Sequence, residues 1–129
     1  NKVQPIWADH YFKTISNAKM GLNLSRGEAI KYYSSDRITQ IVGNGLVCLI
    51  DERTKYRDFF NNSEMVFYKD ENDLSEKILK ISRDEKLRKS IARKGKQKYM
   101  KYFNSTIVAD FIIEKTLGIE SKKKYFWHN

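Results

Sequence analysis

The sequence predicts an α/β fold: a three-stranded parallel sheet with flanking helices, followed by a wholly helical C-terminal portion over residues 70–129. Three observations carry that expectation. Apolar runs of strand length at 20–25, 46–51 and 64–69 are separated by stretches whose apolar residues recur at helical spacing, the mark of βαβ units with right-handed crossovers. The second and third runs, Leu46-Val-Cys-Leu-Ile-Asp51 and Glu64-Met-Val-Phe-Tyr-Lys69, are nearly continuous in apolar residues, as strands covered by helices on both faces require. From residue 70 onward the apolar period is helical throughout.

Each element has its own signal. Tyr11, Ile15 and Ala18 repeat at helical spacing and predict a helix over 7–19. Met20, Leu22 and Leu24 alternate, which gives a strand over 20–25 with one apolar face. A loop over 26–34 follows, with Gly27 and the pair Tyr32-Tyr33. The side-chain oxygens of Ser34, Ser35 and Asp36 can accept from free backbone N–H groups, so they are expected to cap a helix over 36–42. Gly43-Asn-Gly45 ends that helix, because Gly and Asn tolerate the left-handed conformation of a C-cap. A short helix over 53–60 is expected between the second and third strands. Asp70 to Asp73 then cap a helix carrying Leu74, Ile78 and Ile81, and a second helix runs over 84–103. Asn104-Ser105 caps a third, with Ile107, Val108, Phe111 and Ile112 on one apolar stripe.

Composition bounds the class. The chain has 129 residues, of which 40% are hydrophobic and 13% aromatic, enough for one packed domain or part of one. Those residues are spread along the whole length, which argues against disorder. The longest apolar stretch, residues 46–50, falls far short of the roughly 18 residues of a spanning helix. Cys48 is the only cysteine, which excludes a disulfide framework and a thiolate zinc site; inside the central strand it reads as inert packing. His10 and His128 lie near opposite ends, so no imidazole metal site is expected. Asn1 to Pro5 lacks the apolar core of an export signal, which points to a cytoplasmic chain. The absence of an initiator Met points to a processed chain or a fragment.

The charge balance, 25 Lys+Arg against 16 Asp+Glu for a net +9, suits nucleic acid, anionic lipid or a phosphorylated small molecule. Much of it lies in one helix, as Lys86, Arg88, Lys89, Arg93, Lys94, Lys96, Lys98 and Lys101. At about 100° per residue, Leu87, Ile91, Gly95, Tyr99 and Tyr102 share one arc, and Lys86, Lys89, Arg93, Lys96 and Lys101 the opposite one. That is an amphipathic helix with a solvated cationic face. With no helix-turn-helix, zinc-finger or RNP-type motif beside it, nucleic acid is disfavoured. The tail, Lys122-Lys-Lys with Tyr125, Phe126 and Trp127, is expected to pack on a neighbouring domain in preference to lying at a lipid interface.

Chemistry is expected where open parallel sheets bind ligands, in the crevice beyond the carboxyl ends of the strands. Those ends are Asn23-Leu-Ser25 and Ile50-Asp51-Glu52, and the segments Ser25-Arg-Gly-Glu28 and Ser34-Ser-Asp-Arg37 would gather there. A helix N-terminus there offers free N–H groups and partial positive charge to a phosphate. Arg37 adds a planar fork for the same oxygens. Asp36 opposes phosphate and fits a capping role.

The run Ala18-Lys-Met-Gly-Leu-Asn-Leu-Ser25, then Ser35-Asp-Arg-Ile-Thr-Gln-Ile-Val-Gly-Asn-Gly45, then Leu46 to Glu52, Phe59-Phe60, Glu64-Met-Val-Phe-Tyr68, Asp73-Leu74 and the Lys/Arg-rich helices resembles a known family. It is similar to the C-terminal part of GT-B glycosyltransferases, in particular the glycosyl transferases group 1 domain of spore-maturation-protein-like enzymes, over about residues 5–117. Order and spacing together carry the likeness.

The resemblance implies a single, incomplete, Rossmann-like domain that binds a nucleotide-diphosphate sugar and needs no metal or other cofactor. It places Arg37, Ser34 and Ser35 toward phosphate or sugar, and Asn23, Ser25 and Glu28 toward the sugar. The family's ribose-binding Glu on its Arg-x-x-Glu helix falls at Gln40, three residues after Arg37, which hydrogen-bonds without charge. A second register sets Glu28 and Asp36 at a carboxylate-x₇-carboxylate spacing, and both registers stand at this point, the Arg37/Gln40 one preferred. The strands upstream and an N-terminal acceptor domain are missing, so the chain alone is expected to be inactive. Two other readings remain: a non-catalytic nucleotide or sugar-phosphate module, and a basic adaptor at a membrane surface, here the inner face of the membrane, or on nucleic acid.

Overall fold

The computed structural model describes residues 4–25, 27–33, 35–121 and 123–128. In chain order the elements are α1 (Ala8–Asn17), β1 (Met20–Asn23), α2 (Asp36–Gly43), β2 (Val47–Asp51), two 3-10 turns (Glu52–Thr54 and Tyr56–Asp58), β3 (Val66–Tyr68), α3 (Glu71–Arg83), α4 (Glu85–Tyr102) and α5 (Ser105–Leu117). The strands form one sheet in the order β1-β2-β3. Both pairings are parallel, with Met20 opposite Val47 and Leu49 opposite Val66. This is the α/β class that the sequence predicts, with the helical portion following the sheet.

β2 and β3 are buried along their whole length, and their side chains alternate between two cores. Cys48, Ile50, Met65 and Phe67 meet α2, the 3-10 turns and the end of α4 on one face. Val47, Leu49, Val66 and Tyr68 meet Ile81 of α3 and Ile91 and Ala92 of α4 on the other. Cys48 is 1% exposed, and burial pushes its thiol up to about 12, which removes the thiolate needed for reactivity.

α4 contributes to both cores because it crosses the amino-terminal ends of the strands. Its residues from Arg88 to Lys96 border Ala18 and Lys19 ahead of β1 and Gly45 and Leu46 ahead of β2. Ahead of β3 the approach is closest. A β-carbon on Gly95 would stand 2.3 Å from the backbone oxygen of Glu64, a distance only glycine permits. The Lys98 ammonium meets the Glu64 carboxylate at 2.9 Å beside that contact. Backbone contact thereby closes this end of the sheet at β3, while a groove of about 510 Å³ remains between α4 and the entrances of β1 and β2.

Several expectations are corrected. β1 stops at Asn23, so Ser25 lies beyond it and Leu24 is half exposed. The helix expected over 53–60 is two 3-10 turns broken at Lys55, which sits at φ 59°. Asp51 and Thr54 draw the chain into the first turn through side-chain bonds to backbone groups. Ser35 occupies the N-cap of α2, but its side chain makes no capping bond; the hydroxyl donates to Asn23 Oδ1 at 3.2 Å instead. Ser34, Arg26 and Lys122 lie outside the described residues. Asp70, Asp84 and Asn104 do cap α3, α4 and α5.

The cationic face of α4 is exposed at Lys86, Lys89, Arg93, Lys96 and Lys101. Arg88 is not part of it. It is buried and donates to the carbonyls of Ile81 and Ser82 at the end of α3. The tail packs on its own chain: Trp127 stacks on Phe103 and Phe126 on Tyr102. α5 buries none of its residues fully, and Val108 and Ile112 of the expected stripe are exposed.

Candidate functional site

The opposite, carboxyl-terminal end of the sheet is open. A cleft of about 490 Å³ lies there, with each strand end contributing to its wall. Leu24, Ser25, Gly27 and Ala29 come from the segment after β1, Asp51 and Arg53 from the end of β2, and Tyr68, Lys69 and Asp70 from the end of β3. Glu71, Leu74 and Ser75 of the first α3 turns close the far side. Strand direction puts all of these together, since parallel strands deliver their exits to one edge.

Local bonds hold each wall. The segment after β1 is pinned across the top of β2 by Tyr32, whose N–H donates to the Thr54 carbonyl at 2.8 Å and whose hydroxyl donates to Asp58 at 2.6 Å. At the β3 exit, Asp73 accepts from the backbone N–H of Lys69 and from the Lys77 ammonium, while Asp70 accepts from the Asp73 N–H. Two carboxylates thus satisfy the strand end and the helix start reciprocally. The Lys77 ammonium bond also holds the Asp73 carboxyl below the usual range.

The floor carries an ion pair. Arg53 Nη2 reaches Asp51 Oδ2 at 2.6 Å, Nε adds contacts at 3.1 Å, and the Arg53 N–H donates to Asp51 Oδ1 at 2.8 Å. The Arg53 hydrogen bonds hold the Asp51 carboxyl below the ordinary carboxylate range. Burial, then the Asp51 charge, pushes the neighbouring Tyr68 hydroxyl up. Asp51 is the anchored member: its side chain is 12% exposed, against 68% for Arg53. The guanidinium is accordingly the group able to turn toward a ligand, and its fork geometry suits paired oxygens.

The residues singled out in the sequence divide into three groups. Ser25 lines the cleft, and Glu28 lies on the same segment, exposed, close enough for its charge to act on Arg53. Asn23, Ser35 and Arg37 form the hinge between β1 and α2. Asn23 is buried and takes the Ser35 hydroxyl, and Arg37 Nη1 donates to the Leu24 carbonyl at 3.2 Å. Because Leu24 itself lines the cleft, Arg37 stands at its rim, with Asp36 exposed beside it. Gln40 lies apart, its side-chain carbonyl taken by the Tyr11 hydroxyl of α1.

Sequence reasoning missed Arg53 and everything the third strand delivers: Tyr68, Lys69, Asp70 and Glu71. The signal was present. The rule that ligands gather at strand exits applies to the run ending Tyr68-Lys69 as much as to the first two.

A second cavity, of about 330 Å³, lies between α2, α4, α5 and the tail, lined by Tyr56, Phe59, Phe60, Phe103 and Trp127. Its aromatic lining offers little to a polyhydroxylated or charged ligand. Among the described residues no cluster of His, Cys, Asp and Glu is suited to a metal ion.

The model of a family described as glycosyl transferase-like matches residues 1–114. No curated protein and no solved structure matches the chain.

Proposed function

Because the chain belongs to the glycosyl transferase-like family, we propose that it is the donor-binding half of a GT-B glycosyltransferase, and that the carboxyl-edge cleft takes a nucleotide-diphosphate sugar. The observation that carries this reading is the cleft's mixed lining: Arg53 and Lys69 beside Asp51, Asp70 and Glu71, with Ser25 and Ser75 between them. A nucleotide sugar presents the matching chemistry. Its hydroxyls donate to carboxylates, which only accept, and its diphosphate is held by cations and a helix N-terminus.

In this reading Arg37 and Ser35, at the start of α2, face the diphosphate, and Arg53 swings from Asp51 to join them. Ser25, Glu28 and Asn23 lie on the sugar side. Gln40 lies apart from the cleft, its oxygen taken by Tyr11, so ribose contact falls to Asp70 and Glu71 of the cleft wall. As the sugar–phosphate bond breaks, charge builds on the leaving diphosphate while the sugar gains oxocarbenium character. Fixed cations and N–H dipoles stabilise the diphosphate without reorganising. The acceptor is bound by a separate half, so residues 1–129 bind donor without transferring it.

Calorimetric titration with UDP, GDP and their sugars tests this. Saturable binding is expected, weakened about tenfold by Arg37→Ala, the usual effect of losing a charge-assisted hydrogen bond. No saturable binding to any of the four, or binding indifferent to Arg37→Ala and Arg53→Ala together, overturns the reading. Sugar transfer by this chain alone would overturn the division into donor and acceptor halves.

A further inference from the structure

The groove of about 510 Å³ between α4 and the entrances of β1 and β2 differs in charge from the carboxyl-edge cleft. Lys19, Arg88, Lys89, Arg93 and Lys96 line it, against the single carboxylate of Glu85. Glu85 is already engaged by Lys89 at 2.7 Å, in an exposed pair one helical turn apart. The Lys89 hydrogen bond, then the charges of Lys89, Arg88 and Lys19, hold its carboxyl below the ordinary range. Among the described residues Lys19, Arg93 and Lys96 form no ion pair.

Arg88 is the unusual member. It is 8% exposed, and a guanidinium so deep ordinarily carries a carboxylate. Here Nη1 donates to the Ile81 and Ser82 carbonyls at 3.3 and 3.4 Å, and Nε and Nη2 make no bond to a described residue. Among the described residues no buried side-chain nitrogen lacks a partner, so these two donors reach solvent, at the groove that Arg88 lines. Lys89, Arg93 and Lys96 stand beside it at i, i+4 and i+7, in steps of about 6 and 4.5 Å along α4. A β-carbon on Gly45 would lie 3.6 Å from Lys96 Cδ, which seats the Lys96 stem against the link between α2 and β2. Leu46 and Ala92, each 7% exposed, form an apolar floor.

We propose that this groove docks an acidic helix of a partner protein, with carboxylates on the Arg88 fork and on the Lys89, Arg93 and Lys96 row, and one small apolar side chain on the Leu46–Ala92 floor. The charge selects an anion, and the row selects its form. A helix with carboxylates at the same spacing matches the row residue for residue. An extended chain, whose same-face residues recur at about 6.8 Å, falls out of step. A diphosphate is shorter than the row, and a bilayer is too flat to enter a groove. No aromatic ring lines it for a nucleic-acid base to stack on. The exposed Lys89–Glu85 pair is worth little in water, so Lys89 is free to exchange partners. Complementary charge of this kind steers encounter and rejects wrong partners. None of these residues lines the carboxyl-edge cleft, so partner docking and nucleotide binding fail independently.

Fluorescence anisotropy with a labelled, alanine-rich helical peptide tests the docking, the peptide carrying glutamates at i, i+4 and i+7 and one leucine between them. Saturable binding is expected, weakening as salt rises. Amide shifts are expected at Gly45, Leu46 and the Arg88 to Lys96 stretch, with the cleft walls left still. Arg93→Glu with Lys96→Glu is expected to weaken binding at least about tenfold. Both positions are exposed, so thermal unfolding of this variant is expected to match the parent. The same variant is expected to bind a peptide with lysines in place of the glutamates, which the parent ignores. Absence of saturable binding overturns the proposal, as does equal binding of a peptide whose glutamates are spread around the helix. Binding indifferent to the double substitution overturns it too. So does tighter binding to a single-stranded oligonucleotide or to phosphatidylglycerol vesicles, since the groove would then serve phosphates.

Discussion

At the amino-terminal end of the sheet, α4 lies so close to the chain entering β3 that Gly95 has no room for a β-carbon. At the carboxyl-terminal end, the same three strands open into a polar cleft of about 490 Å³. The closed end joins two apolar cores and a Lys98–Glu64 pair whose side chains are 20% and 15% exposed. The open end gathers carboxylates, cations and hydroxyls whose bonds are mostly to strand exits and turns. The difference teaches where each burden falls. Substitutions at the closed end are expected to move stability and leave binding alone, and those at the open end to do the reverse.

The largest effect is expected at the closed end. Gly95→Ala forces the Glu64 carbonyl and α4 apart and is expected to cost about 3 kcal/mol, the upper range for overpacking. A urea unfolding curve reads this as a lower midpoint at unchanged slope. A midpoint within experimental scatter of the parent would break the claim that α4 closes this end by backbone contact.

Next in size is Arg53→Ala at the open end, expected to weaken nucleotide-sugar binding about tenfold while unfolding shifts by under about 0.5 kcal/mol, as for exposed positions generally. It is also expected to return the Asp51 carboxyl toward the ordinary range, which a carboxylate NMR titration detects. Lys98→Met is expected to cost about 1 kcal/mol, the net worth of a typical hydrogen bond, with nucleotide affinity unchanged.

The pH dependence follows from the lowered Asp51 pKa. A carboxyl whose folded value is depressed contributes above its unfolded value, about 3.9, and loses that contribution as pH falls through the folded value. The Asp51–Arg53 pair is therefore expected to persist from neutral pH down to about pH 4 and to open only below it. A nuclear resonance of the Arg53 side chain that moved near neutrality would contradict this. The smallest effect is expected on the solvated face: Lys86→Gln, Lys89→Gln and Arg93→Gln together are expected to leave both stability and nucleotide affinity within about 0.5 kcal/mol.

The sheet was legible because β2 and β3 need apolar residues on both faces, and no other short element in the chain shows such runs. The capped starts of α3, α4 and α5 were legible for a local reason, since Asp70, Asp84 and Asn104 bond a backbone N–H three residues on. The site was legible only in part. Ser25 and Arg37 follow from the strand-exit rule, but Arg53 depends on a turn whose shape is set by Asp51 and by the left-handed Lys55, neither of which has a periodic signal. The Asn23–Ser35 and Tyr11–Gln40 bonds join residues 12 and 29 positions apart, a pairing that only the fold creates. The exposure of Val108 and Ile112 on α5 was not legible, because an apolar stripe does not show how much of it the rest of the chain covers.

The account rests on donor binding at the open end of the sheet. Backbone amide shifts recorded during titration with UDP- and GDP-sugars test it most directly. Movement confined to the cleft walls is predicted, at Ser25, Gly27, Arg53, Lys69 and Glu71, with the α4 amides that face the strand entrances left still. Shifts centred instead on Gly45, Leu46 and the Arg88 to Lys96 stretch, or no shifts at saturating nucleotide, would contradict it.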